Sequence, residues 1–190
     1  MPRSAAEIPA SRDCRRLLKL MAETRRLGDR CQTAKTNGHR WLTAVEVVEN
    51  TARAVSAYRR MPWRRTDGSA ELCTHGLLQC LVMQQEAARS LCAMYNVSFD
   101  TRTDRGLTWV RKTRDELTGH PTDPKRTSAY ALGRRAWSRW QIAWLPGESS
   151  VSGISGVPLK SLVTRQQLAL ETVFKSVIST MRSGIAVSRC

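Results

Sequence analysis

Arg114 and His120 stand six positions apart in the stretch Arg114-Asp115-Glu116-Leu117-Thr118-Gly119-His120. An arginine stays cationic at physiological pH and grips a phosphate with a planar fork of donors, while a histidine exchanges a proton near neutrality. Converging on one phosphodiester, the two could cleave it without a metal. The same residues also suit a plainer task, because a histidine at a helix end caps carbonyls and complements the helix dipole.

The element that must position them is a helix over Arg105 to Thr118. Leu107, Val110, Arg114 and Leu117 follow helical spacing, which predicts that Arg114 lies on the stripe facing other protein. A guanidinium there needs an anionic partner or a wet cleft. Gly119 and Pro121 end the helix, since glycine accepts a left-handed cap and proline disfavours helix in the residue before it. Residues six apart in a regular helix point about 240° from one another. His120 and Arg114 therefore meet one substrate only if the chain turns, or if a second subunit supplies one of them.

The 190-residue chain is long enough for one well-buried core. Its formal charge of +15 favours a polyanionic partner. A solvated basic surface is the plain alternative. No run approaches a membrane span, and Met1-Pro2-Arg3-Ser4 leads into a polar segment, so a cytoplasmic protein without membrane contact is expected. The six cysteines, Cys14, Cys31, Cys73, Cys80, Cys92 and Cys190, form no CxxC pair or ligand cluster. Neither metal nor cofactor is expected.

One domain over residues 1–190 is expected, with 1–13 and 184–190 flexible. A first helix runs from Cys14 to about Leu27, closed by Gly28, and a loop around Thr36-Asn37-Gly38 leads to a second from Trp41 to Met61, stopped by Pro62. A third extends from Ser69 to about Tyr95, with Leu72, Gly76, Leu77, Cys80, Met83, Ala87, Leu91 and Met94 as its apolar stripe. Gly76 implies close approach of another backbone, and Gln79, Gln84, Gln85 and Glu86 read as surface groups. After the Arg105 to Thr118 helix, Tyr130, Leu132, Trp140, Ile142 and Trp144 alternate with period 2, predicting a β-hairpin over 127–146. A last helix runs from Pro158 to Met181. The fold class is all-α, a helical bundle with a hairpin inserted before its C-terminal helix.

Lys125, Arg126, Arg134, Arg135 and Arg139 lie near Tyr130, Trp137, Trp140 and Trp144 in sequence. That mixture holds phosphates while bases stack, placing RNA beside His120. The tryptophans could equally cover the bundle, leaving the arginines solvated.

With these residues in view, Arg114-Asp115 to His120 resembles the motif of the HEPN superfamily, in which an arginine followed by a polar residue precedes a histidine by a few positions. The run from Leu72 to Ala87 and the run Val110 to Thr122 are also similar, in the same order, to two segments of a group of bacterial HEPN-like proteins. The resemblance spans about residues 40 to 182. It implies an antiparallel helical bundle that forms a homodimer and acts as a metal-independent ribonuclease in toxin–antitoxin, antiphage or CRISPR settings. Arg114 would hold the scissile phosphate and its developing charge. His120 would be general acid or base, and Asp115 would orient one of them. Attack by the ribose 2′-hydroxyl would leave a cyclic phosphate. Implied partners are RNA, a second copy, and a protein or nucleotidyltransferase antitoxin. Thr122 stands where HEPN toxins silenced by nucleotidylation carry tyrosine, which argues against that control.

Two rivals remain. One is a non-catalytic RNA- or nucleotide-binding regulatory module whose Arg114 and His120 stabilise a dimer interface. The other is a helical DNA-binding protein, although no clear recognition helix is visible.

Overall fold

A computed structural model describes residues 12–61, 69–118, 131–132, 141–145 and 155–187. Helices dominate it: α1 (Arg12–Gly28), α2 (Gln32–Thr36), α3 (Gly38–Tyr58), α4 (Ser69–Met94), α5 (Arg105–Thr118) and α6 (Leu159–Val187). Three short strands, β1 (Ala131–Leu132), β2 (Gln141–Leu145) and β3 (Ser155–Pro158), form an antiparallel sheet in the order β1-β2-β3. Leu132 stands opposite Trp144, and Ile142 opposite Val157. Pro158, read from sequence as the first turn of the last helix, instead ends β3, and the chain passes directly into α6.

Side-chain pairs fix the helix directions. Arg40 of α3 reaches Ser90 near the end of α4, while Met61, just past α3, meets Cys73 near its start. α3 and α4 are therefore antiparallel. Arg16 and Glu23 of α1 pair with Glu171 and Arg182 of α6, so those two helices run parallel. Arg25 grips Glu49 through both oxygens, at 2.8 and 3.2 Å, and ties α1 to α3. α1, α4 and α6 point one way and α3 and α5 the other, so the end of α5 lies toward the starts of α4 and α6.

Two apolar clusters fill the bundle. One gathers Leu17, Met21, Val48, Leu91, Phe174 and their neighbours, and the other gathers Val55, Leu78, Leu81, Val110, Leu162 and theirs. Between them along α4 and α6 lie Gln84, Gln85, Gln166 and Gln167, none more than 2% exposed. Their burial corrects the reading of Gln84 and Gln85 as surface groups. The face of α4 is turned accordingly: Leu72, Gly76 and Met83, expected on the apolar stripe, are exposed. The approach expected at Gly76 is absent, since a Cβ there meets nothing within 4 Å; it is Gly28 that is crowded, by a side chain, because a Cβ there would sit 2.3 Å from the Trp41 ring.

Other boundaries shift for local reasons. Residues 32–36 form the short α2 inside the expected loop. α4 closes at Asn96, whose φ of 52° is a left-handed cap, with Val97 N–H donating to the Cys92 carbonyl at 2.9 Å. α6 continues through Gly184 to Val187, since an exposed helical glycine costs only about 1 kcal/mol against alanine.

Candidate functional site at the end of α5

α5 has the bounds that the spacing predicts, and its start is firmly closed. Asp104 Oδ1 accepts the N–H groups of Gly106 and Leu107 at 2.8 and 3.0 Å, an N-cap carboxylate at the positive end of the helix dipole. Thr108 Oγ1 donates to the Thr101 carbonyl at 2.7 Å. Gly106 lets α6 come near, since a Cβ there would lie 3.1 Å from Arg165 Cβ. Leu107, Val110 and Thr113 are buried, and Trp109 carries the Arg165 guanidinium 5.6 Å from its ring centre.

The middle of α5 is locked by the glutamine layer. Gln85 Nε2 donates to the Leu107 carbonyl at 3.1 Å and to Gln166 Oε1 at 2.7 Å, and Gln85 Oε1 accepts from Arg111 Nε at 2.7 Å. Gln166 Nε2 in turn donates to the Leu81 carbonyl and to Gln84 Oε1. Arg111 also pairs with Glu86, which Arg89 holds at 3.1 Å. One turn before Arg114, α5 is thus joined to α4 and α6 by hydrogen bonds in a low-dielectric interior, where they are strong.

Arg114 itself is half-buried, its side chain 30% exposed, and its Nε lies 2.8 Å from Asp115 Oδ1. The expected inward stripe is therefore only partly followed: Leu107 and Val110 are buried, and Arg114 sits at the margin with a carboxylate beside it. Such a guanidinium has a carboxylate close by and still reaches solvent. Of the sequence-based site residues, the structure brings Arg114 and Asp115 together. His120, Lys125, Arg126, Arg134, Arg135 and Arg139 lie outside the described residues, as does most of the segment 127–146.

The surroundings add positive charge. Helix direction carries Arg59 and Arg60 after α3, Lys112 and Arg114 of α5, and Lys160 of α6 toward one end of the bundle. Sequence reasoning missed Gln85, Gln166, Arg111 and Glu86 as the support of this helix. A signal existed: Gln84 and Gln85 continue the spacing of Leu77, Leu81, Ala88 and Leu91 and so belong to the buried face.

No protein-family model, curated protein or solved structure matches the chain. Among the described residues, no helix is long and apolar enough to cross a membrane.

Proposed function

We propose that this chain is a metal-independent endoribonuclease of the HEPN type, acting as a toxin or as an antiphage or stress effector on cytoplasmic RNA. The observation that carries the reading is Arg114, a half-buried cation near the end of a helix pinned to its neighbours, with the Asp115 carboxylate beside it and partly open to solvent. In this reading Arg114 binds the scissile phosphate and offsets the charge that builds on it. His120 transfers the proton to or from the ribose 2′-hydroxyl or the leaving oxygen, and Asp115 fixes the guanidinium. The HEPN-like bundle with its inserted hairpin pairs with a second copy, and Lys125, Arg126, Arg134, Arg135 and Arg139 hold the RNA. The net charge of +15 supports a polyanionic substrate.

A non-catalytic RNA- or nucleotide-binding module is the second reading. It is favoured by the same Arg114–Asp115 pair, because a neutralised guanidinium also suits a dimer interface. Labelled RNA incubated with wild type, Arg114→Ala and His120→Ala in the presence of EDTA separates the two. Cutting by wild type alone, with folded variants, supports the nuclease; retained binding without cutting by any form supports the module.

A further inference from the structure

Between them, α3 and α4 leave an open groove of about 480 Å³. Its floor is apolar, formed by Ala44, Val47, Val82, Met83 and Ala87. Ala44 and Ala87 are small, so the two helices leave a furrow instead of closing it, and Met83 lies across it 39% exposed. Along α4 the lining runs from Gln79 to Ser90, about 16 Å at 1.5 Å per residue. A furrow between antiparallel helices, of that length and with that floor, is the shape into which a third amphipathic helix packs.

Charge at the groove's end selects the occupant. Arg40 is exposed there, its Nε donating to Ser90 Oγ at 3.3 Å, and among the described residues no carboxylate pairs with it. The nearest lining acid, Glu86, is already taken by Arg89 and Arg111. α3 begins at the same end without a side-chain cap, because the Asn37 amide donates to the Thr33 carbonyl, and no acidic residue stands in the first turn. The space around Gly38 is open. An exposed guanidinium next to an uncapped, positive helix start calls for a carboxylate from outside.

We infer that this groove docks an amphipathic helix of another protein, with an apolar stripe on the floor and acidic residues against Arg40 and the start of α3. A second copy presenting the same face would offer no free carboxylate, because the acid in that lining, Glu86, is held by Arg89 and Arg111. RNA would find a single arginine over an apolar floor. Arg40 and Met83, the residues changed below, take no part in the Arg114 site, so the inference stands or falls independently of the nuclease reading.

The test uses the full chain and a fluorescein-labelled helical peptide of about 14 residues, with leucines at heptad spacing and glutamates at one end, followed by anisotropy at about 0.15 M salt. A peptide of identical composition with its leucines scattered serves as reference. The expected result is saturable binding of the first peptide only, weakened at least about tenfold by Arg40→Glu and by Met83→Glu. Both sites are exposed, so the variants retain the wild-type circular dichroism and thermal midpoint. Arg102→Glu, the same charge change at an 88% exposed position on the α4–α5 connection, leaves binding unchanged. Equal binding of the scattered peptide, equal loss with Arg102→Glu, or no binding at all overturns the inference. So does a self-associated wild type that Met83→Glu dissociates, since the occupant is then a second copy.

Discussion

Gln85 of α4 donates to Gln166 of α6 at 2.7 Å, between two apolar clusters and with both side chains wholly buried. The bond does more than join two helices. Through its second donor contact to the Leu107 carbonyl and its acceptor contact from Arg111, Gln85 fixes the rotation of α5 and hence the direction in which Arg114 points. Glutamine suits the task because one amide both donates and accepts, so a single side chain serves three helices.

Replacing one member of the layer leaves its partners buried and unsatisfied. Gln85→Leu and Gln166→Leu are each expected to lower unfolding stability by about 1–3 kcal/mol, read from urea midpoints. The double variant should cost less than the sum, because the second change removes groups that the first orphaned. Full additivity would show that the two amides act independently.

Two glycines offer opposite outcomes. Gly28→Ala places a methyl 2.3 Å from the Trp41 ring, and the helix interface must open to admit it. Thermal unfolding should report a loss of about 1–3 kcal/mol, the cost of overpacking. Gly76→Ala meets nothing within 4 Å on an exposed helical surface and should gain up to about 1 kcal/mol. Destabilisation by Gly76→Ala would show that the close approach inferred from sequence exists after all.

The contrast between these positions shows what the sequence made legible. α5 and the face of α6 were readable because their apolar residues recur without ambiguity, from Leu159 and Leu162 through Phe174 to Met181. α4 misled because Gly76 and Met83 count as apolar by type, while Gln84 and Gln85 count as polar. Partners on α5 and α6, 22 to 83 residues away, make burial of those amides favourable. Asp115 as a partner for Arg114 was legible from adjacency, whereas the Arg111–Gln85 contact rests on helix packing that no local pattern encodes.

Alkali should unfold the protein through Cys92 and Tyr95. Burial pushes the Cys92 thiol from 9.0 to about 12, and burial, helped by the neighbouring Cys31, raises the Tyr95 hydroxyl above its ordinary 10.0. Both bind their protons more tightly when folded. Their stabilisation is therefore complete below the unfolded values and lost as pH rises toward the folded ones. The urea midpoint should hold through neutral pH and fall above pH 9. In Cys92→Ala the fall above pH 9 should be shallower but still present, because burial also raises the Cys80 thiol and Tyr95 adds to the loss from about pH 10. Identical pH profiles for wild type and variant would remove Cys92 from the account.

The decisive substitutions for the candidate site are those that keep its charge while altering its geometry. Arg114→Lys preserves the cation but loses the planar fork, and it cannot face Asp115 and a phosphate at once as a guanidinium does. If Arg114 stabilises the charge developing on phosphate, cleavage of labelled RNA in EDTA should fall by about 10²–10³ in Arg114→Ala and be only partly restored in Arg114→Lys. Asp115→Asn keeps the shape and removes the negative partner, so the guanidinium is less firmly oriented and cleavage should fall by a smaller factor. RNA affinity should hold or rise in Asp115→Asn, because the net positive charge grows. A structural role for Arg114 moves different quantities: the thermal midpoint or the monomer–dimer equilibrium would shift in Arg114→Ala, with lysine restoring either one, while any cleavage persisted. Measuring cleavage, RNA affinity and sedimentation on the same three variants separates holding a transition state from holding the fold.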